Sequence, residues 1–190
     1  MSQRPRRPYG TLHRDVVIDA ALQVIERDGL AALTMRRLAQ QLDAGTMSLY
    51  RHVADRDDVL DAVGQRLLLS IEVPDPSSTT DWPGAIRALM TSIRSVALEH
   101  PRSFELMALR QLSGGAVDDR VASALLLLEP SGLSRAEQLV LARTLVSFVN
   151  GFALAEIRGT TRFAGEPDGV DAFSAGIDLI LAGAAAGSRD

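Results

Sequence analysis

Cysteine is absent from all 190 residues, and lysine is absent as well. The first absence excludes a disulfide framework, a thiolate nucleophile and a cysteine-ligated zinc. The second makes every one of the 20 basic side chains an arginine, a usage consistent with coding bias and given no functional reading. Histidine is scarce: His13, His52 and His100 stand in separate segments, and no glycine-rich phosphate loop precedes a helix. The convergent polar site of an enzyme is therefore missing from the pattern, and no enzyme activity, cofactor or metal is expected. No unbroken run of about 18 apolar residues occurs, so no membrane partner is expected. The start, Met1-Ser2-Gln3-Arg4-Pro5-Arg6-Arg7-Pro8, is basic with no apolar stretch behind it, unlike a secretory signal, and a cytoplasmic protein is the expectation.

What is present is a distinctive segment, Thr34 to Val53. It reads as two short helices broken at Asp43-Ala44-Gly45. In the first, Met35, Leu38, Ala39 and Leu42 recur at the spacing that lays one stripe on a core, leaving Arg36, Arg37, Gln40 and Gln41 to solvent. The second offers Thr46, Met47, Ser48, Tyr50, Arg51 and His52, with only Leu49 and Val53 as anchors four residues apart. A helix so weakly committed to its own core is free to touch something else, which in a helix-turn-helix is the DNA major groove. Charge agrees: residues 1–56 carry a net +3 and the remainder −7, a basic head on an acidic body.

Periodicity and capping signals predict nine helical segments and no strand, an all-α fold. Thr11 is placed to cap the first helix, which buries Val17, Ala21, Val24 and Ile25 and stops at Gly29. Thr34 and Thr46 are the expected caps of the next two, and Asp55 with Asp58 opens a fourth that runs to about Ser70. Pro74, Pro76 and the polar string 77–80 form the one clear linker, dividing a 1–70 helix-turn-helix domain with a basic arm (Arg4, Arg6, Arg7) from an 81–190 helical domain. In the second domain Asp81 caps a helix that ends before Pro101. A short helix lies over about 102–112, and another ends before Pro130. Ser134 with Glu137 is a capping box that opens the longest helix, to about Arg158, and a last helix follows Pro167 and Asp168. The last two helices are apolar around most of their circumference, so a second face must be buried. A homodimer interface through Phe173, Ile177, Ile180 and Leu181 is the expectation.

The segment from Arg14 to Ala62 resembles the DNA-binding domain of TetR-family transcriptional regulators. The residues that carry the likeness are Asp28-Gly29-Leu30, Leu33-Thr34-Met35-Arg36-Arg37-Leu38-Ala39, Ser48-Leu49-Tyr50-Arg51-His52-Val53 and Asp57-Asp58-Val59-Leu60-Asp61. From Trp82 to His100, and around Ser147-Phe148-Val149-Asn150-Gly151, the chain is more loosely similar to the tetracycline-repressor branch. The resemblance implies a homodimeric repressor of a roughly palindromic double-stranded DNA operator, released by a small molecule. It assigns base reading to Thr46, Met47 and Ser48, a guanine edge or phosphate to Arg36, and the DNA backbone to Tyr50, His52 and Arg56, with Arg51 beside them.

For an effector, Leu89, Ile93, Phe104, Met107, Phe148 and Phe152 would line an apolar cavity, with Arg110, Asn150 or Glu156 as polar anchors. Leu89 and Met107 stand where the tetracycline branch carries an asparagine and a histidine for drug and metal, so an apolar or aromatic molecule is expected instead of a magnesium-bound one. The rival reading is a helical interaction protein of the same fold without DNA binding or ligand sensing.

Overall fold

The computed structural model describes residues 12–161 and 171–187. Thr11, the arginines of the amino-terminal arm, Pro167 and Asp168 lie outside them. Among the described residues there are nine α-helices, three short 3-10 turns and no strand: α1 (Arg14–Asp28), α2 (Met35–Gln41), α3 (Thr46–Leu49), α4 (Arg56–Ser70), α5 (Trp82–Glu99), α6 (Phe104–Leu109), α7 (Gly115–Leu126), α8 (Arg135–Ile157) and α9 (Ala172–Gly187).

The helix ends follow local chemistry. Thr34 accepts the Arg37 N–H at 3.1 Å, Asp55 accepts the Asp58 N–H at 2.9 Å, and Asp81 accepts the Gly84 N–H at 3.0 Å. Ser134 and Glu137 make the reciprocal box expected of them. Gly29 ends α1 at φ 90°, a conformation that costs a side-chain-bearing residue but not glycine. One expected cap is corrected: the residue preceding α3 is Gly45, and Thr46 is the first residue of the helix, its hydroxyl left for other partners.

The chain forms two compact units, Met1–Leu67 with His100–Leu112, and Leu68–Glu99 with Ser113–Asp190. The division expected between 70 and 81 is thus drawn elsewhere, because α6 belongs to the first unit. Its attachment is specific. The Glu26 carboxylate accepts the backbone N–H groups of Arg102 and Ser103 at 3.3 and 2.9 Å. Arg102 returns a bond from Nη1 to the Arg27 carbonyl, so the end of α1 and the start of α6 satisfy each other's orphan groups. Arg110 Nε donates to Asp61 at 2.6 Å. Gly64 lets α4 lie close, since a Cβ there would stand 3.0 Å from the Leu106 carbonyl oxygen.

The core of the first unit is one apolar cluster drawn from α1 (Val17, Ile18, Ala21, Val24, Ile25), α2 (Leu38, Ala39), Leu49, Val53 and α4 (Val59, Leu60, Val63), joined by Leu106. Each of its larger aliphatic side chains contributes about 1.5 to 3 kcal/mol by leaving water.

In the second unit α5, α8 and α9 pack on one another. Phe148, Phe152 and Phe173 form a ring cluster with centroids 5.4 to 6.1 Å apart. Gly176 makes room for it, because a Cβ there would fall 2.3 Å from the tip of the Phe148 ring. Arg120 of α7 donates to the carbonyls of Leu69 and Ile71 at 3.0 and 2.8 Å, satisfying acceptors left open where α4 ends. By length and composition alone α8 could cross a membrane, with a mean hydropathy of 1.5 over its best window. Arg143, Thr144 and Ser147 divide its sequence into shorter apolar runs.

Candidate nucleic-acid interface

The segment that carries α2 and α3 is shaped by its turn. Asp43 adopts φ 50°, the left-handed region that aspartate tolerates, and reverses the chain between α2 and α3. The third helix is four residues long and pinned by one fully buried side chain, Leu49, with Val53 at 3% exposure just beyond. Its outward residues have little to hold them inward. Met47 is 78% exposed, too much for an apolar side chain whose role is packing, and Tyr50 is 45% exposed. Thr46, Ser48 and His52 are half-buried and Arg51 is exposed.

Hydrogen bonds fix the segment from behind. Arg51 Nη2 donates to Ser48 Oγ at 2.6 Å, setting that hydroxyl. Arg14 donates to the His52 carbonyl at 3.1 Å and to both carboxylate oxygens of Asp58. Asp58 in turn accepts the Ala54 N–H at 2.8 Å. The Arg14 hydrogen bond, aided by that N–H, holds the Asp58 carboxyl below its ordinary value. Sequence reasoning passed over Arg14 and Asp58 as positioning residues. They lie 44 positions apart, and only the fold makes them neighbours.

The charges divide in a way that composition conceals. Arg27 and Arg37 share Asp28, whose carboxyl they pull far below the usual range. Arg66 pairs with Asp15 and Asp19. Arg36, exposed beside them, has neither an ion-pair nor a hydrogen-bond partner among the described residues. Arg51 bonds a neutral hydroxyl and keeps its charge uncompensated. Arg56, expected at the DNA backbone, is engaged within the chain: its Nε donates to the Leu33 carbonyl at 2.7 Å and Nη2 to that of Leu30 at 3.2 Å. It is occupied in holding the turn that leads into α2. The surface that remains is a hydroxyl pair, a thioether, a phenol, an imidazole and, among the described residues, two guanidinium groups without a carboxylate partner. That set can contact base edges and phosphates together.

Residues 17–63 match the family model described as bacterial regulatory proteins of the tetR family, and residues 86–180 match that of the tetracyclin repressor-like carboxy-terminal domain. The chain belongs to the TetR family. An HTH-type transcriptional regulator of Saccharopolyspora erythraea is 32% identical to this TetR-family chain over 154 residues, 81% of the chain. The chain spans 65% of the length of that relative. ActR of Streptomyces coelicolor, solved in complex with actinorhodin, superposes with a TM-score of 0.82 at 28% identity, covering 96% of this chain and 99% of that one. BioQ of Mycobacterium smegmatis, solved with its natural double-stranded DNA operator, gives a TM-score of 0.72 at 28% identity, covering 93% and 99%.

The residues expected to line an effector cavity divide between the units of this TetR-family chain. Phe104, Met107 and Arg110 lie in the first, where Phe104 is fully buried and Arg110 is taken up by Asp61, with Asp57 3.8 Å away. Leu89, Ile93, Phe148, Asn150 and Phe152 lie in the second. There Leu89 and Ile93 are buried on α5 and the other three are half-buried on α8.

The expected dimer residues need correction. Phe173, Ile177 and Leu181 are 1 to 4% exposed, because they face α5 and α8 of their own chain, and Ile180 is half-buried. The apolar surface left open is the opposite face of α9, where Leu179 is 75% exposed between Ala175 and Ala182, and on α8 Leu139, Val140 and Val146. Circumferential apolarity pointed to two apolar faces, of which the chain covers one and leaves the other open. It could not show which one the chain covers itself.

Proposed function

We propose that this protein is a sequence-specific, dimeric transcriptional repressor that reads operator DNA with α3 and leaves it when a small molecule binds the second unit. One observation carries the reading: Met47 and Tyr50 stand out from a helix whose single buried anchor is Leu49, beside the unpaired cation Arg36. Thr46, Met47 and Ser48 contact base edges, a methionine lying against a thymine methyl and the hydroxyls bonding either donors or acceptors. Arg36, Tyr50, Arg51 and His52 hold the phosphate backbone and set the register. BioQ, a relative of the same fold, has been solved with an operator, and ActR with actinorhodin, which supports both halves of the reading.

Two copies meet through the open faces of α8 and α9, giving a two-fold assembly whose reading helices address two half-sites. Such a protein works in the compartment that holds the DNA, and its surface chemistry calls for no catalytic group. The test is a mobility-shift titration on a duplex recovered by selection, at several salt concentrations. Affinity should fall steeply as salt rises, because phosphate contacts displace counterions. Binding that ignores both sequence and salt would refute the reading and favour an interaction protein of the same fold.

A further inference from the structure

Inside the second unit, α5, α8 and α9 bring one ion pair against three phenyl rings. Arg94 of α5 donates Nε to one carboxylate oxygen of Glu156 on α8 at 2.7 Å and Nη2 to the other. The two side chains are 30% and 24% exposed, so the pair is covered but still reachable. The guanidinium carbon of Arg94 lies 4.9 Å from the centroid of the Phe173 ring. Phe173 is buried, whereas Phe148 and Phe152 keep part of their surface open.

The two partners are unequally held. Arg94 rests on the Phe173 face and also feels the charge of Asp171, so it keeps its place and its charge when Glu156 is withdrawn. Glu156 stands in the last turn of α8, one residue from its end, where the helix dipole opposes a carboxylate. Of the two, Glu156 is the one that an incoming group can replace. A planar guanidinium fork donates to the two oxygens of any carboxylate in the same bidentate way.

We infer that Arg94 is the anchor for an anionic ligand: it takes the carboxylate of an aromatic acid whose rings lie against Phe148 and Phe152. Glu156 is the internal carboxylate that occupies the fork until that ligand displaces it. This inference rests on the reading of the second unit as the effector domain and sharpens the ligand class from aromatic to aromatic acid. It has an unusual consequence. A structural ion pair would be weakened by losing either partner, but here removing Glu156 removes a competitor and strengthens binding.

Calorimetric titrations on the full chain with naphthoate, naphthamide and naphthylmethylammonium test this. The wild type should bind naphthoate about tenfold more tightly than naphthamide, equivalent to roughly 1.4 kcal/mol. Glu156→Gln should raise naphthoate affinity by about a further tenfold, and Arg94→Gln should bind naphthoate and naphthamide alike. Should Glu156→Gln fail to fold by circular dichroism, Glu156→Asp, which draws the carboxylate back by one methylene, should shift affinity in the same direction. The inference is overturned by equal affinities in the wild type, by preference for the cation, by weaker naphthoate binding in the Glu156 variants, or by binding of no probe at millimolar concentration. Operator binding without probe is measured in parallel. If it is intact while the naphthoate pattern fails, the anchor alone is wrong; if it is absent in the wild type, the regulator reading fails.

Discussion

Neighbouring residues of α3 should respond in opposite ways to the same truncation. Leu49→Ala removes a side chain that is fully buried and that anchors a helix of four residues. The transfer contribution of the lost carbons is about 2 kcal/mol. The cavity left in the apolar cluster that Leu49 shares with α1, α2 and α4 brings the total to about 2.7 to 5 kcal/mol. Such a loss is a large fraction of the stability of a small unit. Met47→Ala, two positions earlier, truncates a side chain that is 78% exposed and should change stability by no more than about 0.5 kcal/mol. Its effect should fall on the operator instead, about 1 to 3 kcal/mol if the thioether reads a base. Urea unfolding followed by circular dichroism gives the first quantity, and titration of a selected duplex gives the second. A Leu49→Ala protein as stable as the wild type would show that α3 is held by something other than its one buried anchor. Full operator affinity in Met47→Ala would remove the thioether from the reading surface.

Leu179→Glu, on the open face of α9, should leave the chain folded but monomeric by sedimentation, whereas Ile177→Glu should unfold the second unit, because a carboxylate buried without a partner costs several kcal/mol. Arg56→Ala should weaken operator binding through disorder of the Leu30–Leu33 turn, with lowered stability alongside; affinity lost at constant stability would return Arg56 to the phosphate-contact set. The carboxyl of Asp58 is held below its ordinary value when folded, so its contribution is complete above the unfolded value of about 3.9 and fades as pH falls through the lower folded value. Acid unfolding of Asp58→Asn should accordingly show a shallower loss of stability below about pH 4 than the wild type, and identical acid limbs would deny Asp58 that role.

Much of this molecule is written locally. The caps at Thr34, Asp55, Asp81 and Ser134 and the glycine at 29 act within a few residues, and each could be read from neighbouring letters. The exposed face of α3 was legible for the same reason: too few apolar residues in the right register leave Met47 and Tyr50 outside the core. What escaped notice is long-range. Arg14 and Asp58 meet across 44 positions and Arg94 and Glu156 across 62, and a lone arginine or glutamate carries no sign of its partner. Arg56 was assigned to the DNA backbone by resemblance alone, and its two carbonyl acceptors come into view only with the fold. The attachment of α6 to α1 depends on Glu26 and Arg102, 76 positions apart, which is why a boundary drawn from linker composition fell in a different place.

Selection from a random pool of DNA duplexes, carried through to a sequence and its footprint, tests the central claim most directly. The account predicts an enriched, inverted repeat protected at two half-sites with centres about one helical turn, roughly 10 to 10.5 base pairs, or somewhat more apart. Enrichment of no sequence, or of a single half-site protected on its own, would contradict it.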